Sequence, residues 1–310
     1  MTEPEKLTIT LKNKSLKKPV KKLPPTIELP ITSTLQDVKA LLAVATGLGD
    51  PNRVGLFDPA SGKTFKDRLA VVASLNNVVE NKTMLVRDLG PQVAWRTVFF
   101  IEYLGPLLFH AALYLLRPYI YPNAPAFPSA TQTLAFWMIA AHFVKREVET
   151  LWVHHFSAST MPFSNIFRNS AFYWLLAGLA CGVFIYHPNS YAALSTNRAV
   201  DAFGLVIYLF GEISNAITHL HLASLRPKGS TRRAIPTGYG FGIVTCPNYM
   251  FEVIAWIGII TVTRSFMVVI FICTGIYYMQ LWGRQKERQY REEFGEKYRK
   301  KRFVMLPGII

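Results

Sequence analysis

The hydrophobic pattern of the chain changes period near residue 90. Before it, "KLTITLKN" alternates Leu7, Ile9 and Leu11 with polar neighbours, the period of two that marks a half-buried strand. "PTIELPIT" offers a second strand after the turn-rich "SLKKPVKKLP". "TSTLQDVKALLAVATGL" then places Leu35, Val38, Leu41, Leu42 and Ala45 at helical spacing, with Ser33 or Thr34 as N-cap and Gly47 and Gly49 as terminators. "NRVGLFDPASGKTF" and "KTMLVRDLG" supply two more predicted strands. After Trp95 the apolar runs lengthen to about 20 residues, the number a helix needs to cross a hydrocarbon core of about 30 Å.

Those runs predict spans at residues 92–116, 132–153, 169–187, 199–223, 247–263 and 265–283. The expected architecture is a polytopic α-helical membrane protein of six spans, with a seventh span or a re-entrant piece near 155–168 left open. The order strand, strand, helix, strand, strand ahead of them resembles a ubiquitin-like β-grasp (α+β) domain; an unrelated soluble α+β appendage is the alternative. The chain therefore divides, by expectation, into a cytosolic ubiquitin-like domain at 1–88, a membrane domain at 89–283 and a basic cytosolic tail at 284–310.

Composition agrees with burial in lipid: 51% of residues are hydrophobic and 17% charged, against roughly 25% charged in soluble domains. The net charge of +15 gathers in the N-terminal segment, at 226–233 and at 284–302. With no recognition motif beside it, this basicity reads as membrane-flanking charge, and no nucleic-acid partner is expected. "LRPKGSTRR" and "GRQKERQYREEFGEKYRKKR" are basic while "LRPYIYPNAPAFPSATQ" and "YHPNSYAALSTNR" are nearly neutral, which puts both termini in the cytosol. Cys181, Cys246 and Cys273 lie far apart in or beside apolar segments and read as packing residues rather than a disulfide or metal framework. The first 25 residues have no apolar core, so no cleavable secretory signal is expected.

A charged group at the centre of a spanning helix costs about 2.5 to 3.5 kcal/mol, so polar side chains there face a cavity or a partner. "AHFVKREVETLWVHHFS" puts His142, Lys145, Arg146 and Glu149 at i, i+3, i+4 and i+7 on one helix face, with His154 at i+12. "FFIEYLGPLL" places Glu102 and Tyr103 ahead of an expected Gly105-Pro106 kink, and "GEISNAITHLHL" aligns Glu212, Asn215 and His219, with His221 beyond. Pro247, Asn248, Tyr249 and Glu252 head the run "TCPNYMFEVIAWIGII". Polar stripes on separate spans predict one interior pocket; a self-satisfied polar ladder is the alternative. Neither H-E-x-x-H nor H-x-x-E-H occurs, and no metal is expected. Gly238, Gly240 and Gly242 permit close backbone approach without forming a dinucleotide fingerprint, and Arg226, Lys228, Arg232 and Arg233 offer charge to phosphates.

"IPTGYGFGIVTCPNYMFEVIAW", with the Tyr290-containing basic tail ending "RKKRFVMLPGII", resembles the steroid 5α-reductase superfamily. "DLGPQVAWRTVFFIEYLGP", "KREVETLWVHHFS" and "PNYMFE" are similar to its very-long-chain trans-2-enoyl-CoA reductase branch. The resemblance implies NADPH-dependent reduction of a double bond conjugated to a thioester in long-chain and very-long-chain enoyl-CoA. It implies an endoplasmic-reticulum membrane setting, with membrane lipid and other fatty-acid elongation enzymes as partners. It also implies Tyr249 as proton donor to the α carbon, with Lys145 stabilising the phenolate. Glu102, Tyr103, Glu149 and His154 match substrate or pocket positions, and Asn248, Glu252, Arg146, Asn215, Arg226 and Tyr290 match cofactor-binding positions. A steroid or polyprenol reductase, an isoprenylcysteine-type membrane methyltransferase and a non-enzymatic scaffold are the competing readings.

Overall fold

A computed structural model describes residues 5–122, 124–156, 159–195, 197–226 and 234–309. The chain separates into two compact units, Met1–Trp95 with Phe156–Asn165, and Arg96–His155 with Ile166–Ile310.

In the first unit, strands β1 (Lys6–Asn13), β2 (Thr26–Pro30), β3 (Val54–Phe57) and β4 (Thr83–Asp88) form a sheet of order β2-β1-β4-β3. β1 pairs antiparallel with β2, Ile9 opposite Ile27, and parallel with β4, Leu11 opposite Met84. A parallel pair requires a long crossover, and helix α1 (Leu35–Ala45), β3 and the short helix α2 (Asn76–Asn81) lie within it. The period-two pattern of β1 buries Ile9 and Leu11, which join Leu35, Val38 and Leu42 of α1 in one core. Thr34 is the N-cap: its hydroxyl accepts from the Asp37 amide, and the Asp37 carboxylate accepts from the Thr34 amide at 2.8 Å, satisfying two orphan donors reciprocally. Gly47 and Gly49 follow at φ +73°, where a side chain would be strained. Lys39 on α1 is buried, which pushes its ammonium down to about 8, with Arg68 adding repulsion.

The first unit also recruits a distant segment. Strand β5 (Gln92–Ala94) pairs antiparallel with β6 (Thr160–Pro162), Val93 opposite Met161, and the Trp95 and Phe156 rings stack at 6.4 Å. The region near 155–168 that could be read as re-entrant is therefore a strand at its centre, since Met161 finds burial against protein.

The second unit is helical: α3 (Trp95–Leu115), α4 (Arg117–Ile120), α5 (Ala130–Val148), α6 (Asn165–Ala171), α7 (Cys181–Tyr186), α8 (Tyr191–Leu194), α9 (Arg198–Ser224), α10 (Pro247–Thr263) and α11 (Phe266–Phe294). Among the described residues four stretches are long and apolar enough to cross a membrane: Trp95–Leu115, Asn165–Leu194, Arg198–Ser224 and Phe266–Lys297. The other two expected spans are not among these four: α10 has 17 residues, and α5 carries a charged run near its end. α3 runs through Gly105-Pro106 as one helix, with Pro106 in its interior. Gly105 leaves room for Trp174, whose indole N–H donates to the Ile101 carbonyl at 2.8 Å. α9 and α10 approach closely through Gly204, Gly211 and Gly258, and a side chain at Gly211 would collide with the backbone of Ala255. α11 runs unbroken past residue 284, so the basic tail begins inside a helix.

Candidate active site

α5 ends in a π-helical turn, Glu149–Val153, closed by the His154 amide donating to the Glu149 carbonyl at 2.8 Å. Such a turn inserts a residue and rotates the side chains beyond it, a device common at functional sites. His154, out of register with the 142–149 face in a regular helix, is thereby returned to 3.5 Å from Arg146 and lies edge-on to His219 with ring centroids 4.8 Å apart.

Three helices meet around that turn. Arg146 donates to Glu149 at 2.6 Å and to the Tyr103 hydroxyl at 2.9 Å, so one guanidinium ties α5 to α3. Lys145 lies 2.9 Å from Glu212 and 3.4 Å from Glu149 and donates to the Asn215 side chain at 2.5 Å. His142 bridges two carboxylates, Glu212 at 2.6 Å and Glu252 at 3.3 Å. Asn215 donates in turn to the Asn248 carbonyl at 2.8 Å and to Glu252 at 3.3 Å, and Trp256 donates to Glu252 at 3.2 Å. Each charge among these residues thus has a counter-charge or several donors, the condition for keeping it out of water. The polar stripes of the separate helices meet in one mutually satisfied lattice on α5, α9 and α10, with Tyr103 at one edge.

Tyr249 stands in the first turn of α10, half-buried against the helical core. Arg146, Tyr103 and Tyr290 are within electrostatic reach of its phenol, and the Lys286 ammonium lies 5.8 Å from its ring centroid. Lys145, expected as its cation, makes short contacts to Glu149, Glu212 and Asn215, one for each of its three protons. Lys286 does not stand out in the sequence; its i, i+4 spacing from Tyr290 on α11 is the signal that could have found it. His142 joins the site as the polar stripe of α5 predicts, and Trp256 joins it without having been expected there, although it continues the i, i+4 row of Asn248 and Glu252.

The other expected residues take separate places. Glu102 is buried, hydrogen-bonds Asn169 and keeps one carboxylate oxygen without a partner. Asn215, expected at the cofactor, is 1% exposed and committed to the lattice. Arg226 donates to the His155 carbonyl at 2.9 Å and its own carbonyl accepts from the His155 ring at 3.0 Å. Tyr290 packs against Phe294 and Tyr298, and Tyr298 donates to Glu287 at 2.7 Å. The end of the chain returns to the start of α10, where the Cys246 amide donates to the Val304 carbonyl at 2.9 Å. Gly240, at φ +77°, sits where a side chain would meet Pro247. Lys228, Arg232 and Arg233 lie outside the described residues. Glu149, His154 and His219 bring three possible metal-ligand atoms within 4.8 Å of one another. The Arg146 guanidinium stands among them, at 2.6, 3.5 and 3.4 Å, and supplies the positive charge there itself.

Residues 159–310 match the family described as 3-oxo-5-alpha-steroid 4-dehydrogenase. A Schizosaccharomyces pombe protein with a provisional enoyl-reductase name is 38% identical over 307 residues, 98% of this chain and 100% of its own. The very-long-chain enoyl-CoA reductase of Dictyostelium discoideum is 34% identical over 287 residues, 90% of this chain and 93% of its own. A trans-2,3-enoyl-CoA reductase-like protein of Mus musculus is 32% identical over 290 residues, 90% of this chain and 78% of its own.

Proposed function

The chain belongs to the enoyl-CoA reductase family, and on that premise we propose that it reduces trans-2-enoyl-CoA to saturated acyl-CoA with NADPH, as the last step of very-long-chain fatty-acid elongation. The reading rests on one arrangement: Tyr249 in the first turn of α10, with Lys286 over its ring and the Arg146-bound Tyr103 hydroxyl within electrostatic reach.

The residues fit the cofactor. The Asn248 side-chain oxygen is buried with no hydrogen-bond partner, an acceptor suited to a carboxamide N–H. Arg226 and Lys286 carry positive charge that suits phosphates, and Tyr290, one turn after Lys286 on α11, carries a ring. When bound, NADPH supplies the hydride that adds at the β carbon.

The chain's own groups handle the proton and the charge. The Tyr249 O–H bond breaks as a C–H bond forms at the α carbon, and Lys286 offsets the phenolate left behind. Negative charge builds on the thioester oxygen during reduction. Tyr103, whose oxygen already accepts from Arg146, turns its own O–H toward that oxygen. Lys145 acts as a positioning residue: with Glu149 and Glu212 it fixes α5 against α9 and so sets where Arg146 and Tyr103 stand. Glu252 does the same for Asn248 through Asn215, and the free oxygen of Glu102 and the ring of His154 complete the polar wall for the substrate.

The sheet order of the first unit supports a ubiquitin-like β-grasp domain. Six spans with cytosolic termini in the endoplasmic-reticulum membrane, beside other elongation enzymes, complete the reading.

The test follows NADPH oxidation with trans-2-hexadecenoyl-CoA in membranes carrying the native chain or Tyr249→Phe, with the product identified by mass. Loss of a proton donor is expected to cut turnover by about 10²–10⁴. Full turnover by the Phe variant would move the acid elsewhere. Reduction of a steroid or polyprenol but not of the enoyl-CoA would replace the substrate class.

A further inference from the structure

The stretch from β1 through the loop to β2 concentrates positive charge, most of which nothing in the first unit neutralises. No acidic residue occurs between Glu5 and Glu28, while Lys6, Lys12, Lys14, Lys17, Lys18, Lys21 and Lys22 do. Two of the seven are engaged. Lys6 lies 4.0 Å from Glu28, and Lys14 donates to the Gly62 carbonyl at 2.5 Å and sits over the Phe57 ring at 3.6 Å. Lys12, Lys17, Lys18, Lys21 and Lys22 are exposed, and none has a carboxylate partner among the described residues.

The loop is held at its base. Val20 is buried and its amide donates to the Asn13 side chain at 2.6 Å, while Lys22 turns the chain at φ 55°. That anchoring leaves Leu16 at the tip, 92% exposed, between Lys14 and Lys17. An exposed apolar side chain in a run of exposed lysines combines two membrane-binding signals, a basic segment for anionic headgroups and an aliphatic group for the interfacial region.

We propose that this loop, with Lys12 at the end of β1, docks the first unit on an anionic bilayer surface, with Lys12, Lys17, Lys18, Lys21 and Lys22 on lipid phosphates and carboxylates and Leu16 inserted among them. The occupant is a membrane rather than an acidic protein because the exposed tip is one isolated aliphatic side chain, which suits a fluid interface and offers no groove or aromatic anchor. The unit is covalently continuous with α3, a helix long and apolar enough to cross a membrane, so the tether keeps a bilayer within reach and raises its effective concentration. Each lysine brought to an anionic surface strengthens association by about five-fold.

The test uses the full chain in nanodiscs, with Leu16→Cys carrying an environment-sensitive fluorophore in a Cys273→Ser background, since Cys181 and Cys246 are buried. In phosphatidylcholine containing phosphatidylserine the label is expected to shift to the blue and resist an aqueous quencher, and in phosphatidylcholine alone to behave as exposed. High salt is expected to reverse the shift, and Lys17→Glu with Lys18→Glu to weaken docking by about 25-fold or more. Identical spectra in the two lipids, or a shift that ignores salt and charge reversal, would overturn the proposal. Protection seen in native membranes but never in nanodiscs would also overturn it, in favour of a protein partner.

Discussion

Arg146→Met is the most informative change in the polar lattice. Glu149 is 4% exposed and takes the Arg146 guanidinium at 2.6 Å. Removing one partner of a buried pair costs about 3–5 kcal/mol, because the other charge is left in a medium that cannot solvate it. Glu149 would keep Lys145 at 3.4 Å and His219 at 3.0 Å, which puts the expected loss near the lower end, about 3 kcal/mol. Glu149→Gln should cost about as much, since Arg146 would retain Tyr103 and Lys145 would retain Glu212. The double variant removes both charges together, so its loss should resemble one single change, a coupling of about 2–3 kcal/mol. The assay is reversible denaturant unfolding of the full chain in micelles, followed by tryptophan fluorescence, for the four members of the cycle. Losses that add to within about 0.5 kcal/mol would refute the claim that these groups form one charge-compensated unit.

Tyr103→Phe should leave the fold intact, because the ring keeps its contacts with Tyr173 and Phe143, yet lower kcat by about 10²–10³ with KM little changed. An unchanged kcat would remove Tyr103 from the oxygen-stabilising role. Gly211→Val should separate α9 from α10 and cost about 1–3 kcal/mol, seen as a lower melting temperature in detergent; native-like melting would mean that the helices are not in close contact there. Lys39 titrates near 8 in the folded unit and at 10.5 when free, so the unfolded chain binds the extra proton between those values and stability should rise with pH through that window. Lys39→Met should flatten that dependence and add about 3 kcal/mol at neutral pH, measured as the urea midpoint of the first unit by pulse proteolysis of the intact protein. A midpoint that still climbs with pH in the variant would assign the effect to another group.

What the sequence determined by itself was whatever depends on neighbours within one turn or one pleat. The N-cap at Ser33 or Thr34, the glycine stop at Gly47 and Gly49, the alternation that buries Ile9 and Leu11, and the polar run from His142 to Glu149 are all of that kind. Spacing carries them because the backbone repeat alone decides which side chains share a face. Tertiary structure decided the rest. The partner of Lys145 is Asn215, 70 positions away, and a competition among acceptors, invisible in either segment, settles where its protons go. The π turn after Val148 is followed by His154 in contact with Arg146 and His219, the latter 65 positions further along the chain. Residues 160–162 read as an ambiguous stretch until Gln92–Ala94 supplies the strand that satisfies their backbone. In each case the governing term is the pairing of a polar group with a distant complement, and that complement exists only once the chain has folded.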